Sequence, residues 1–238
     1  MRTRRLLLVA ALGALALADA AAGAEETPPL SPAQIALFET DHLHGISHAE
    51  RLEYRFEHAG AAAGEPYSDA VNLDVRPRSD GAKDVWVEFL TGKRRMPFPP
   101  LSAFHGNPVL MYFLERDVVT MHDQTGGTAT YFRNSIRRAF VDRAEMRQTE
   151  VTQDGKKAPA TEITLTPFRG DTRIAVFPGL NEKRYRFVLS DAVPGGVYEI
   201  AAEVPGATGE APRLKETMTF AAAAPCGGSE GPCAAPKP

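Results

Sequence analysis

Cysteine is almost absent from this sequence, which has two in 238 residues, and both lie in the C-terminal tail. The body of the protein is therefore neither a disulfide scaffold nor a cysteine-rich metal protein, so apolar packing has to stabilise it. Glycines and a proline separate Cys226 from Cys233. In an oxidising compartment we predict a local disulfide between them, with free thiols or a metal clip as the alternatives.

Catalytic motifs are absent as well. The sequence contains no G-x-S-x-G, no H-E-x-x-H and no glycine-rich phosphate loop. We therefore predict a non-enzymatic protein that carries no cofactor. A hydrolase with a site of unfamiliar sequence is the third hypothesis, after the two binding functions described below.

A long apolar run occurs only at the N-terminus. Arginines at positions 2, 4 and 5 precede the twelve-residue run from Leu6 to Leu17, and Ala22-Gly23-Ala24 forms an A-x-A cleavage signal. Because a membrane-spanning helix needs roughly 20 residues, we interpret residues 1–24 as a secretory signal that is cleaved after Ala24. We expect a periplasmic or secreted protein with no transmembrane segment in the mature chain.

Positive charge is not in excess. The formal net charge of the whole chain is −3, and removal of residues 1–24, which contain three arginines and one aspartate, leaves −5. A nucleic-acid-binding surface needs a basic field. Nucleic acid is therefore excluded as a target.

Alternation of apolar and polar residues dominates the body of the chain. Leu52, Tyr54 and Phe56 alternate with charged residues, which predicts a strand with one face in water. Similar patterns predict further strands in the segments 71–75, 84–90, 147–153, 156–168, 183–190, 196–204 and 214–220. The dipeptide Asp154-Gly155 is typical of a two-residue hairpin turn. About seven or eight antiparallel strands are expected.

Two segments before residue 107 are unusual. Segment 84–90 is apolar on both faces, which predicts a central strand or one covered on both sides. The proline-rich segment 93–106 follows it. Because proline donates no backbone hydrogen bond, we expect this connection not to continue the sheet.

Helical periodicity appears in one long block, Gly106–Val141. Asn107 is a suitable N-cap before Pro108 at the first helical position, and Gly126-Gly127 ends this helix. Apolar residues recur at helical spacing in both halves: Leu110, Phe113, Leu114, Val118 and Met121, then Ala129, Phe132, Ile136 and Phe140. Residues 128–141 also alternate as a strand would, but the spacing favours a second helix.

These elements predict the α+β class: a curved, mostly antiparallel sheet forming an incomplete barrel, with the helical insert packed on one face. We divide the chain into four parts: the signal peptide 1–24, a segment 25–50 with a short helix and a histidine-bearing loop, a single domain 51–220, and a flexible tail 221–238 that holds the cysteine pair.

A resemblance follows from the order of these elements. A signal peptide, a short helix from Ser31-Pro32, strands, a helical insert and further strands, over residues 31–220, resemble the periplasmic lipoprotein-carrier (LolA-like) architecture. Three phrases also resemble those of uncharacterised exported proteobacterial proteins: GNPVLMYFLERD, YFRNSIRRAF and LSDAVPGGVYEI. The first resemblance implies an incomplete barrel whose mouth is closed by helices. Neither transfers a catalytic or binding residue.

Histidines cluster in the loop that precedes the first strand. Asp41, His42, His44 and His48 could ligate Zn²⁺ or Cu²⁺, because both ions accept nitrogen and oxygen donors. Metal binding by this loop is the second functional hypothesis. Their spacing matches no established zinc site, so a solvated polar loop is the alternative.

Arginines cluster on the second predicted helix. Arg133, Arg137 and Arg138, with Lys93–Arg95 upstream, could form an anion-binding edge for a carboxylate, a phosphate or a lipid headgroup. The alternative is a solvated face on which Glu115 of the preceding helix pairs with an arginine, which would contribute little to stability.

The preferred functional hypothesis combines export with the helical insert. We expect a non-enzymatic periplasmic protein that binds an apolar or amphiphilic ligand, such as a lipid or a lipoprotein, or an envelope protein partner, between the sheet and the helices.

Overall fold

The computed structural model describes residues 29–227 and 231–233. The predicted signal peptide, residues 1–24, lies outside the described residues. None of the helices in the described residues is long and apolar enough to cross a membrane.

Ten strands form one antiparallel sheet that curves without closing. Its order is β4-β3-β2-β1-β10-β9-β8-β7-β6, and β5 also pairs with β3. The predicted α+β class and the incomplete barrel are confirmed. The bounds are β1 Glu50–Ala59, β2 Tyr67–Pro77, β3 Lys83–Phe89, β4 Met96–Pro97, β5 Leu101–Phe104, β6 Glu145–Gln153, β7 Lys156–Leu165, β8 Arg184–Leu189, β9 Val197–Val204 and β10 Leu214–Pro225.

The region around β3 differs from the sequence prediction. The proline-rich connection does continue the sheet, because it supplies β4 and β5, and both pair with β3. Proline is tolerated there since short strands at a sheet edge need not donate every hydrogen bond. β3 is an interior strand, as the first alternative predicted, because it pairs with β2 on one side and with β4 and β5 on the other. Its second face is incompletely covered, since Trp86 is only partly buried.

Alternation correctly placed the buried face of β1. Leu52, Tyr54 and Phe56 are buried, and the residues between them face away from the core. The hairpin between β6 and β7 turns at Asp154 and Gly155, which have φ of +50° and +74°. Positive φ at both positions is the geometry of a type I′ turn.

Three helical elements pack on the sheet: α1 Pro32–Gln34, which continues as a π-helical turn over Ile35–Glu39, α2 Val109–Thr125 and α3 Ala129–Asp142. The N-cap of α1 is Ser31, whose hydroxyl accepts from the Gln34 N–H at 3.2 Å. Residues 129–142 are helical, so helix rather than strand is confirmed for the second half of the block. Gly126 ends α2 in the left-handed conformation, with φ +71°.

The start of α2 is fixed to the sheet by Asn107. Its Oδ1 accepts from the Val109 N–H at 3.2 Å, and its Nδ2 donates to the Tyr54 hydroxyl at 3.1 Å and to the Gly195 carbonyl at 2.7 Å. Asn107 is 2% exposed. Every polar atom of its side chain therefore has a partner, as burial requires. The helix starts one residue later than predicted, at Val109.

Aromatic side chains fill the space between helices and sheet. Phe56 of β1 packs on Phe113 of α2 with ring centroids 6.3 Å apart. Phe140 of α3 packs on Phe187 of β8 at 5.9 Å, and Phe132 packs edge-on against a loop phenylalanine. These contacts form a continuous core. The space in which we expected a ligand is therefore occupied by the protein's own side chains.

Buried charges join α2 to the sheet in two places. Arg116 donates to Glu216 of β10 at 2.6 Å, and His58 of β1 lies 2.7 Å from the same carboxylate. One residue further along the helix, Asp117 pairs with Lys183 at 2.5 Å and accepts a hydrogen bond from the Tyr185 hydroxyl. These contacts fix the rotation of α2 about its axis and its position along the sheet. They therefore also position the face of α2 that lies towards α3.

The first of these clusters predicts a pH optimum for stability. Burial opposes ionisation of Glu216, but the His58 hydrogen bond and the Arg116 charge outweigh it and lower the pKa to about 2 from its ordinary 4.5. The stabilisation, about 3 kcal/mol, is present above pH 4.5 and is lost as pH falls toward 2. The Glu216 hydrogen bond raises the pKa of His58 above its ordinary 6.5. The stabilisation contributed by protonated His58 is therefore complete below pH 6.5 and is lost as pH rises through the pKa that His58 has in the folded protein.

Urea unfolding across the pH range measures both losses: an acid limb, where Glu216 becomes protonated, and an alkaline limb, where His58 loses its proton. We expect the free energy of unfolding to be highest between about pH 4.5 and 6.5. In a His58→Gln variant the alkaline limb should disappear, and the acid limb should become smaller but persist, because Arg116 still lowers the pKa of Glu216. An alkaline limb of unchanged size in that variant would contradict the assignment to His58.

Candidate functional site

A groove of about 850 Å³ lies between α2 and α3 and opens to solvent. Helices and connections form all of its walls, and no strand contributes a lining residue. The walls are mainly apolar, and charged side chains are restricted to a glutamate and three arginines. The lining residues are Gln34, Phe38, Phe98, Met111, Tyr112, Leu114, Glu115, Val118, Arg133, Ile136, Arg137, Arg138, Phe140 and Val141.

Helical spacing explains the α2 wall. Met111, Leu114, Glu115 and Val118 recur at i, i+3, i+4 and i+7, which places them on one face of the helix. This face lies next to the stripe that packs on the sheet, so α2 is apolar over a wider arc than the sheet needs. Met111 remains 39% exposed.

Aromatic rings form two further walls. Phe98, from the connection after β4, stacks parallel on Tyr112 with ring centroids 3.7 Å apart. Phe38 of the N-terminal π-helical turn packs edge-on against Phe140 at 5.2 Å. Both contacts join a helix of the insert to a distant segment of the chain. The groove is therefore built from three separate parts of the sequence.

The predicted arginine cluster lines the same groove. Arg133 donates to Glu115 on α2 through two hydrogen bonds, of 2.9 and 2.5 Å, which joins the two helices. In the described residues, neither Arg137 nor Arg138 forms a hydrogen bond or an ion pair. The predicted pairing with Glu115 is therefore made by Arg133 alone. The charges of Arg137 and Arg138 are not compensated by an ion pair within the described residues.

The upstream basic run is separate from these arginines. Arg94 lies over the Tyr67 ring, 4.0 Å from its centroid, and 3.9 Å from an Asp69 carboxylate oxygen. Neither Arg94 nor its neighbours Lys93 and Arg95 line the groove. The two predicted halves of the anion-binding edge are therefore not brought together there.

The histidine loop lines a cavity of about 350 Å³ on another part of the surface. His42 is buried, and its Nε2 has no hydrogen-bond partner in the described residues. Burial lowers the pKa of His42, against the opposing effect of nearby backbone carbonyls. The His44 Nδ1 lies 2.7 Å from the carbonyl oxygen of Asp41. Asp41, His42, His44 and His48 do not gather their ligand atoms within 4.8 Å in the structure, and metal binding by this loop stays a prediction.

The C-terminal cysteines are bonded to each other, with their Cα atoms 5.2 Å apart. The loop they close is attached to the sheet. Cys226 N–H donates to Ala49 at 2.8 Å and Cys233 N–H donates to Asp74 at 2.8 Å. Asp74 and the two sulfurs lie within 4.8 Å of one another, but the sulfurs are bonded to each other and Asp74 already accepts two hydrogen bonds from Arg51, at 2.6 and 2.9 Å.

Sequence patterns did not identify the apolar part of the groove. Some of its members, such as Val118 and Phe140, belong to the predicted stripes, but Met111 lies outside them, and Phe38 and Phe98 come from other segments. One signal was available in the sequence: Met111 and Val141 are large apolar residues at helix positions that the sheet-facing stripes leave out.

Comparison with known proteins adds a limited likeness. No protein-family model and no curated protein matches the sequence. Among solved structures, the chain is similar to MucB in complex with MucA(peri), with 14% identity and a TM-score of 0.40 over 82% of this chain and 55% of that chain. It therefore spans about half the length of that MucB chain.

Two other solved structures show weaker likeness. One is lipoprotein LppX of Mycobacterium tuberculosis, with 8% identity and a TM-score of 0.28 over 72% of this chain and 84% of that chain. The other is a LolA superfamily protein of Nitrosomonas europaea, with 8% identity and a TM-score of 0.22 over 80% and 92%. These scores are low. The expected incomplete barrel with helices packed on one face is confirmed by the strands and helices described above, and the functional proposal rests on the groove.

Proposed function

We propose that this chain is an exported binding protein that holds the apolar chain of an amphiphilic ligand in the groove between α2 and α3. The observation that carries the proposal is the groove's composition, a mainly apolar cleft with uncompensated arginines at its rim. Export rests on the sequence pattern of residues 1–24.

The groove has the dimensions and lining of a ligand site. Its volume of about 850 Å³ falls in the range of small-molecule sites, roughly 300–1,000 Å³. Met111 and Val141 expose 39% and 52% of their surface beside the buried Val118 and Phe140. Contiguous exposed apolar surface is unfavourable in water, and a bound acyl chain would remove it from solvent.

Rim charge favours an amphiphile over a purely apolar ligand. Arg137 and Arg138 lie on the α3 side of the groove. A ligand with a polar or anionic end could place its chain against Val118 and Phe140 while that end stays in reach of the guanidinium groups.

Substitution of Met111 by glutamate tests the groove directly. A carboxylate at this position would lie against the bound chain, and we expect it to weaken binding of a fluorescent fatty acid by about tenfold or more, because a charge next to an apolar ligand loses hydration. Displacement titration measures the effect, and native mass spectrometry of the purified protein shows whether a ligand is retained.

Val119→Glu is the matched control. Val119 lies on the same helix with a similar exposure of 37%, and it does not line the groove. Its affinity should equal that of the wild type within about twofold. Equal losses in both variants, or a wild-type protein that neither binds acyl compounds nor gains thermal stability from them, would refute the proposal.

A further inference from the structure

A second cavity lies on the opposite side of α3 from the groove. Its volume is about 300 Å³, and polar surface dominates its lining. Helical spacing separates the two: Ser135, Arg138 and Ala139 line this cavity, whereas Ile136 and Phe140 line the groove. Arg138 belongs to both sets. Its side chain therefore lies on the boundary between an apolar cleft and a polar one.

The other wall is the loop that follows β7. Arg169, Asp171 and Arg173 of this loop line the cavity, together with Arg143 at the end of α3. Arg143 donates from Nη1 to the carbonyl oxygen of Arg169 at 2.9 Å. This hydrogen bond connects the loop to the end of α3.

Charge in this second cavity is strongly unbalanced. Four arginines and one carboxylate line it, although the whole chain has a formal charge of −3. The carboxylate, Asp171, is already engaged by Arg173 at 2.6 and 3.0 Å and by the Tyr131 hydroxyl at 2.7 Å. The Arg173 hydrogen bond holds the pKa of Asp171 well below its ordinary value. Asp171 therefore stays ionised and compensates Arg173 alone.

The remaining arginines are available to a ligand. Arg138 has no ion-pair or hydrogen-bond partner within the described residues. The nearest carboxylate oxygen to Arg169 belongs to Glu182, at 4.0 Å, and both side chains are largely exposed. A pair of that length in water is worth little. Arg138, Arg143 and Arg169 thus present three guanidinium groups around one opening.

We propose that this arginine cavity binds the phosphate of an amphiphile whose apolar chain occupies the groove. The inference rests on the proposed function and extends it to a class of headgroup. The two cavities share Arg138, so a single ligand can place its chain on one side of α3 and its anionic end on the other.

Phosphate fits this cavity better than a carboxylate does. Guanidinium groups bind phosphate through paired, charge-assisted hydrogen bonds, and a phosphate monoester offers three acceptor oxygens to several arginines at once. A carboxylate offers two oxygens and a single charge, so it would leave most of the cavity's positive charge uncompensated. Ser135 and Thr172 also line the cavity, and the Ser135 hydroxyl donates to the Tyr131 carbonyl at 2.9 Å.

Three probes separate the contribution of the headgroup to binding from that of the chain. The first is oleoyl lysophosphatidic acid, the second is monooleoylglycerol, which has the same chain without phosphate, and the third is glycerol 3-phosphate, which has the phosphate without the chain. Calorimetric titration of the full protein below the micelle concentration should show lysophosphatidic acid binding about tenfold or more tightly than monooleoylglycerol. Its affinity should fall with added salt, and that of the glyceride should not.

Arg138→Gln and Arg169→Gln test the assignment of the phosphate to the cavity. Each should weaken lysophosphatidic acid binding by about tenfold. Arg169 does not line the groove, so Arg169→Gln should leave monooleoylglycerol binding unchanged within about twofold. Arg55→Gln is the charge-matched control, because Arg55 lies on the face of β1 opposite to the buried Tyr54 and Phe56. It should alter neither affinity.

Each other outcome has one meaning. Equal affinities for the two oleoyl ligands, or equal losses for both in the Arg169→Gln variant, would overturn the headgroup inference and leave the proposed function intact. Binding of glycerol 3-phosphate alone would show a site for free phosphate esters and would overturn both. Failure of all three probes to bind would do the same.

Discussion

Replacement of Asp117 by leucine is expected to destabilise the protein by about 3–5 kcal/mol, the cost of leaving a buried charge without its partner. Lys183 and Asp117 are 1% and 0% exposed, and the ammonium lies 2.5 Å from the carboxylate. Removal of the carboxylate leaves the ammonium of Lys183 in the core, since Glu216 is already paired with His58 and Arg116. Urea unfolding of the variant measures the loss.

A compensated variant separates charge from packing. Asp117→Leu combined with Lys183→Met and Tyr185→Phe removes the anion, the cation and the hydroxyl that donates to the anion. Replacement of a complete buried network by apolar groups is often neutral, so the triple variant should recover to within about 1 kcal/mol of the wild type. If Asp117→Leu alone costs less than about 1 kcal/mol, the Asp117–Lys183 pair is hydrated rather than buried.

Alanine at position 60 is expected to destabilise the protein by at least about 3 kcal/mol, by backbone strain and a backbone clash together. Gly60 follows β1 with φ +136°, and a Cβ there would lie 2.7 Å from the carbonyl carbon of Arg213 and closer still to its oxygen. The turn cannot move away easily, because Ala61 and Ala62 donate backbone hydrogen bonds to Pro212 and Arg213 at 2.9 and 2.8 Å.

Gly64→Ala isolates the conformational part of this loss. Gly64 lies in the same turn with φ +76°, but nothing lies within 4 Å of the position of its Cβ. Only the left-handed backbone is penalised there, so a loss of about 1–2 kcal/mol is expected. Thermal or urea unfolding of both variants gives the difference. Equal losses would mean that the contact with residue 213 relaxes.

The faces of strands and the ends of helices could be predicted from the sequence, because each depends on only a few neighbouring residues. The alternation of Leu52, Tyr54 and Phe56 places them on one face whatever the rest of the chain does. Gly126 ends α2 because the left-handed conformation favours glycine at that position. The confirmed parts of the fold share this origin.

The groove could not be predicted in the same way. Phe38, Phe98 and Tyr112 meet in it although they belong to separate segments, and only tertiary packing brings them together. Arg138 was singled out as a possible anion contact, but Arg169 was not, because the loop that carries it has no periodicity. The proline-rich strands failed for another reason: proline forbids central pairing, and at the edge of the sheet it does not.

The position of β1 in the sheet also determines when the protein can fold. β1 lies between β2, its neighbour in sequence, and β10, where Tyr54 faces Phe220. During synthesis the β1–β2 hairpin can form early, but the other edge of β1 has no partner until the last tenth of the chain has been made. Pairings between residues so far apart form slowly. The native sheet therefore cannot form before β10 is present, and the unpaired edge of β1 in a shorter chain favours aggregation.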